Sequence, residues 1–180
     1  MMARIFVSIP VKDVSGLKGA MDELSSVRNV RASPANQIHI TLRFIGDIDE
    51  RRISDVVSAV EAACSGTKPF EVSLKGAGCF PDARRPSVVW VGAEPSETLS
   101  GIAGRLSKEL DSRGIDYDRK PFKSHVTIGR CRGPADIGSF LGSHEDEEFI
   151  RFRCASVKVM RSVLGPGGAK HTVERTVMLE

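Results

Sequence analysis

His39-Ile40-Thr41-Leu42-Arg43-Phe44-Ile45-Gly46 is the stretch on which the fold turns, because His125-Val126-Thr127-Ile128-Gly129-Arg130 repeats its pattern. In a β-strand successive side chains point to opposite faces. His39 and Thr41 therefore share one face, with Ile40 and Leu42 on the other. His125 and Thr127 stand in the same relation to Val126 and Ile128. Each motif offers an imidazole and a hydroxyl to one side and an apolar anchor to the core. A single H-x-T arises by accident in many sequences, and its histidine is then usually structural. Two of them, each opening a strand after a polar approach, are a functional signal.

Outward from the motifs, each closes the same kind of unit. Ile5, Val7 and Ile9 alternate with Phe6 and Ser8 in an opening strand that Pro10 ends. Val14, Leu17, Met21 and Leu24 follow at helical spacing behind a cap at Asp13, weakened by Gly16 and Gly19. Residues 31–37 read as a polar connection to a strand at 38–45, so strand, helix and motif strand occupy 3–45. The same order recurs over 87–130. There Leu99, Ile102, Ala103, Leu106 and Leu110 mark the buried stripe of a helix opening at Pro95-Ser96.

Between the units, Ile53, Val56, Val57, Val60 and Cys64 form a second helical face, with Asp47 and Glu50 as its capping pair. Phe70, Val72 and Leu74 mark a half-buried strand. Beyond the units, 148–163 reads as a long or bent strand and 172–179 as the last one, with Gly165-Pro166-Gly167-Gly168 as the turn between. No linker divides the chain, so one domain over 1–180, built of two similar lobes, is expected.

Composition narrows the function. The chain has 180 residues, a formal net charge of +3, 41% hydrophobic and 27% charged residues, which suits a globular domain with a real core. The mild positive balance permits a phosphate-bearing partner, whereas a duplex-binding protein would carry a stronger basic stripe. Cys64, Cys79, Cys131 and Cys154 are too scattered for a zinc site and are expected to be plain thiols. No apolar run is long enough for a signal core or a membrane span, so a cytoplasmic protein is expected. Nothing marks an obligate interface, so a monomer is expected.

Two histidines facing each other across a cleft supply a general acid and a general base near neutral pH. Threonine hydroxyls donate to phosphate oxygens as charge develops on them. The set suits in-line attack at phosphorus. It needs no metal or cofactor, and no tight carboxylate cluster lies beside either motif as a two-metal nuclease would require.

These residues resemble the two-histidine (2H) phosphoesterase superfamily, and within it the RNA 2′,3′-cyclic phosphodiesterases, or 2′-5′ RNA ligases. The resemblance spans nearly the whole chain. It includes Arg4-Ile5-Phe6-Val7-Ser8-Ile9, both motifs, and Phe80-Pro81 followed by Arg85-Pro86 and Val88-Val89-Trp90. It also includes Pro121-Phe122-Lys123-Ser124 before His125, and Ser162-Val163-Leu164-Gly165-Pro166-Gly167-Gly168-Ala169.

The resemblance implies an α+β fold: two pseudo-symmetric lobes, each an antiparallel sheet with helices on its outer face, around a central active-site groove. It implies hydrolysis of RNA 3′ ends bearing a 2′,3′-cyclic phosphate to a 2′-phosphate; tRNA fragments are one candidate source of such ends, which the residues do not single out. His39, Thr41, His125 and Thr127 would be catalytic, with His39 the proton donor to the departing 3′ oxygen and His125 the base. One departure is visible: Lys170-His171 stands where the family often carries an aromatic residue. The residues alone leave three alternatives open. These are 2′-5′ end joining by the same site, cleavage of small cyclic nucleotides, and an RNA- or nucleotide-binding module without turnover.

Around the motifs, Arg130, Arg43, Lys123 and Phe122 are the candidate substrate-binding residues. Strict alternation from Thr127 puts Gly129, not Arg130, on the active face, while the family pattern favours a phosphate role for Arg130. By the same alternation Arg43 shares the face of His39 and Phe44 the core face. Arg84-Arg85 suit a solvated turn. His144, in an acidic run, reads as a surface residue; His171, after the glycine-rich turn, reads as a surface residue or, alternatively, as one that approaches substrate. Gly165-Pro166-Gly167-Gly168 lacks the helix and the Lys-Ser/Thr end of a phosphate-binding loop.

Overall fold

The computed structural model describes residues 1–180. Its strands are β1 (Met2–Pro10), β2 (Val30–Ala32), β3 (His39–Asp49), β4 (Phe70–Phe80), β5 (Val88–Glu94), β6 (His125–Cys131), β7 (Glu148–Cys154), β8 (Ser156–Gly165) and β9 (Gly168–Met178). Its helices are α1 (Lys18–Ser25), α2 (Ile53–Cys64), α3 (Ser96–Ser112) and α4 (Gly138–Ser143). The strands form one sheet in the order β7-β4-β5-β6-β3-β1-β8-β9, with β2 on β6, and every pairing is antiparallel.

Two lobes meet where β3 and β6 touch at a single Cα pair, Ile40 opposite Val126. β3, β1, β8 and β9 lie to one side, β6, β5, β4 and β7 to the other. The expected long strand at 148–163 is two strands parted only by Ala155. β7 pairs with β4 in one lobe and β8 with β1 in the other, so this stretch bridges the lobes a second time and the sheet must curl.

The helices are exchanged between lobes. α1, from the first unit, packs on β2 and β6 of the second lobe, whereas α3, from the second unit, packs on α2 and β3. The two repeated units are thus interleaved rather than side by side. The apolar stripe of α3 is buried as its spacing requires: Leu99, Ile102, Ala103, Leu106 and Leu110 are all at most 1% exposed. Ile40, Leu42, Val126 and Ile128, the anchors of the motifs, lie in the same core cluster.

Several local expectations shift. α1 starts only at Lys18, after a 3-10 turn at Ser15–Leu17; Gly16 in that turn lies so close to β7 that an ideal Cβ on it would be 2.1 Å from the Phe149 carbonyl oxygen. The turn before α2 is capped by Asp49, which accepts from the Arg51 amide, and not by Asp47, which lies inside β3. β4 runs on through Gly76-Ala77-Gly78 to Phe80. Gly76 takes φ +77° at a bulge, and an ideal Cβ on Gly78 would lie 2.2 Å from the Trp90 ring. β2 and α4, neither periodic enough to read from sequence, complete the second lobe.

His144 is more constrained than its acidic neighbourhood suggests. Its ring sits between Phe140 and Phe149, with Glu23 on one nitrogen at 2.7 Å and Glu147 on the other at 3.2 Å. It ties α1 to the α4–β7 connection. All four cysteines are free thiols, with Cys64 and Cys154 buried. No helix is long and apolar enough to cross a membrane.

Candidate active site

The register at the lobe junction builds the site. With Ile40 opposite Val126, antiparallel alternation sets His39 level with Thr127 and Thr41 level with His125, all four on the concave face. Each histidine is therefore flanked by the other motif's threonine, and a pseudo-dyad passes between Ile40 and Val126. All four side chains line one cleft of about 440 Å³.

The two imidazoles are held alike. His39 Nδ1 lies 2.7 Å from the Gln37 carbonyl oxygen and His125 Nδ1 lies 2.6 Å from that of Lys123. A carbonyl only accepts, so Nδ1 carries the hydrogen in both rings, and the neutral ring has a bare Nε2. An aromatic backs each ring: Phe6 at 5.2 Å from His39, Phe80 at 5.2 Å from His125.

Burial pushes the His39 pKa down to about 4; its bond to Gln37 opposes this, and the His171 and His125 rings add to the lowering. Burial likewise lowers the His125 pKa against its bond to Lys123, with the Arg130 charge adding to the fall. Both rings are therefore neutral in the unliganded site near pH 7. No three His, Cys, Asp or Glu side chains converge as metal ligands.

Sequence alternation fails just past each motif, for one physical reason. Trp90 faces Thr127 but the next residue back on β5, Val89, faces Gly129, so Ile128 is an extra residue, a β-bulge in β6. Beyond it the faces exchange. Gly129 turns to the core, where an ideal Cβ would lie 2.7 Å from Leu24, and Arg130 turns into the cleft. β3 bulges at the matching place: Ser8 faces Thr41 while Val7 faces Arg43, which makes Leu42 the extra residue. Arg43 accordingly turns toward α3, where its Nε donates to Ser107 Oγ at 2.7 Å and its Nη1 to the Lys120 carbonyl at 3.1 Å. Phe44 takes the groove-facing place that alternation assigned to Arg43, although both residues border the groove.

The groove has two ends that share Thr41, His125, Thr127 and Arg130. One holds Phe44, Phe80, Phe122, Lys120 and Lys123. The other holds Arg31, Ser33, Gln37, Gly167, Gly168, Ala169 and His171. Gln37 Nε2 donates to the Ala169 carbonyl at 2.6 Å and ties the glycine-rich tip to the approach to His39. Sequence reading missed Arg31, Gln37 and the tip as lining residues. His171 takes the second of its two expected places, beside the cleft: its ring centroid lies 5.7 Å from that of His39 and 4.8 Å from that of Phe6.

A family profile for the 2′-5′ RNA ligase superfamily matches residues 14–166, which include both motifs. The chain belongs to that superfamily. Among its relatives, an RNA 2′,3′-cyclic phosphodiesterase of Methanothermobacter thermautotrophicus is 30% identical over 183 residues, 96% of each chain. One of Archaeoglobus fulgidus is 30% identical over 168 residues, 92% of this chain and 94% of that one. A crystal structure of a Thermus thermophilus protein superposes with a TM-score of 0.83 at 25% identity, covering 98% of this chain and 97% of that one. Escherichia coli LigT bound to 3′-AMP superposes with a TM-score of 0.72 over 99% and 98% of the two chains; at 18% identity it speaks for the fold alone. The expected α+β architecture with a groove between lobes is thus that of the superfamily.

Proposed function

We propose that this protein opens the 2′,3′-cyclic phosphate at RNA 3′ ends to a 2′-phosphate by metal-independent acid–base catalysis, in one bilobal unit over 1–180. The observation that carries the reading is the register at Ile40–Val126, which sets two imidazoles and two hydroxyls around one cleft. The relatives, RNA 2′,3′-cyclic phosphodiesterases, supply the substrate.

In this scheme a water attacks phosphorus and the bond to the 3′ oxygen breaks. His125, by family resemblance the base, takes the water proton at Nε2. His39 gives a proton to the leaving 3′ oxygen, and the product keeps its phosphate on the 2′ oxygen. Thr41 and Thr127 donate to the non-bridging oxygens. Arg130, Lys123 and Phe122 engage the RNA around that centre, with Arg43 bracing the rim. With a 5′-hydroxyl end in place of water as the nucleophile, the same groups would join RNA ends through a 2′-5′ linkage: His125 takes the hydroxyl proton and His39 again protonates the leaving 3′ oxygen. A monomer in the cytoplasm acting on fragments such as those of tRNA is consistent with this scheme.

The active form needs His39 charged and His125 neutral; because burial lowers His39 the further, to about 4, this is the minority arrangement of the one shared proton, and it rises and falls with the singly protonated pair. The profile of kcat/KM against pH reports the free protein, in which both rings sit below 6.5. Below the lower limb both rings are charged; above the upper limb both are neutral. The expected profile is a bell with its maximum between about 4 and 6.5, falling by about tenfold per pH unit above the upper limb. A kcat/KM that is flat or still rising from pH 7 to pH 8 would contradict it.

A further inference from the structure

The short strand β2 sets Arg31 directly opposite Arg130 of β6. Like charges directly opposite on paired strands destabilise a sheet. Here no carboxylate offsets them, since neither guanidinium enters any ion pair of the molecule. Both line the cleft with the catalytic residues. Arg130 is there only because the bulge at Ile128 turned it inward. Two forked donors aimed into one cleft without a counter-charge are the chemistry of a phosphate site.

The place along the groove says which phosphate. Thr127 lies at the reacting centre, and because Ile128 is the extra residue of the bulge, Arg130 stands two ladder positions further along β6, roughly 7 Å at the rise of a strand. That is beyond the phosphate held by Thr41 and Thr127, but within reach of a neighbouring phosphate on the same RNA strand. The same end of the cleft is lined by Ser33, Gly167, Gly168 and Ala169, small residues that leave room for a sugar–phosphate chain.

We propose that Arg31 and Arg130 form a clamp for the phosphodiester on the 5′ side of the terminal nucleotide. The preferred substrate is then an RNA of at least two nucleotides, and a cyclic mononucleotide without a 5′ phosphate is the poorer ligand. This rests on the reading of the site as an RNA-end phosphodiesterase and names the length of chain that the site recognises.

The test is equilibrium binding, which needs no turnover. A dinucleotide ending in a 2′-phosphate is compared with the corresponding nucleoside 2′-phosphate, on the wild-type protein and on Arg31→Ala, over a series of KCl concentrations. The wild type should favour the dinucleotide by about tenfold or more, the scale of one charged hydrogen-bonded contact. In Arg31→Ala that ratio should fall toward one, and the salt slope for the dinucleotide should lessen by about 0.7, the share of one phosphate contact on a single strand. Arg31→Lys should keep the slope and recover only part of the ratio, since it keeps the charge without the fork. Thermal unfolding of Arg31→Ala should occur no lower than that of wild type, because a like-charge pair is relieved.

Equal losses for both ligands, or no wild-type preference, would overturn the clamp. Whether cyclic ends are turned over is judged separately, so failure of the reaction and failure of the clamp give different results.

Discussion

His39→Ala and His125→Ala should each lower kcat by about 10²–10⁴-fold, the usual contribution of a positioned acid or base. Far-UV circular dichroism and thermal unfolding should remain those of the wild type. Both histidines open their strands at half-buried positions, and each makes only one hydrogen bond to protein, to a carbonyl two residues back. The anchors Ile40, Leu42, Val126 and Ile128 stay in the core, so the strands keep their register. Because the two rings act in one proton-transfer scheme, the double variant should lose far less than the product of the single losses. Near-normal turnover in both single variants, measured with RNA carrying a cyclic end, would remove the pair from the chemistry.

Thr41→Val and Thr127→Val should each lower kcat by about 10²–10³-fold, the range for losing one donor to a developing oxyanion. Valine keeps the branched shape that a strand favours, so the loss isolates the hydroxyl. The effect should fall on kcat more than on KM, because the donors matter most when charge builds on the non-bridging oxygens. The pseudo-dyad makes the two losses comparable. A tenfold asymmetry between them would mean that one threonine only positions its neighbouring histidine across the junction. Retention of full kcat in both variants would mean that neither hydroxyl touches the reacting phosphate.

The parts of this molecule that repeat a pattern were legible in the sequence. The stripe of α3, the alternation of β1 and the paired motifs each carry a period that follows from helix or strand geometry. The site's four central residues followed from face alternation alone, because His39 to Thr41 and His125 to Thr127 lie before any irregularity. What lay beyond did not follow, because a bulge belongs to a pair of strands. Leu42 and Ile128 look like ordinary core residues, and only the register against β1 and β5 reveals them as extra. That single feature moved Arg130 into the cleft, turned Arg43 to α3 and brought Phe44 round to the groove. The hairpin of β8 and β9 brings His171 beside His39 across 132 residues of chain, and no local pattern encodes such a contact. Arg31 was hidden for a different reason: three residues are too few to show a period.

The interleaving of the lobes bears on how the site is held. α1 is packed on the second lobe while β1 and β3 of its unit lie in the first, and α3 is packed on α2 and β3 of the first lobe while β5 and β6 of its unit lie in the second. The β7–β8 bridge joins the lobes again away from the motifs. Three connections therefore fix the junction at which the histidines face each other. A cleft whose groups need to stay within hydrogen-bonding reach of one phosphate gains its precision from such a frame.

The most direct measurement is the phosphorus NMR spectrum of a short RNA ending in a 2′,3′-cyclic phosphate, followed during incubation with the protein in EDTA. The cyclic phosphate resonance should give way to that of a 2′-phosphomonoester. Its conversion should stop in His39→Ala and in His125→Ala. A 3′-phosphate product, or a cyclic resonance that persists with the wild-type protein until a divalent cation is supplied, would contradict the two-histidine account.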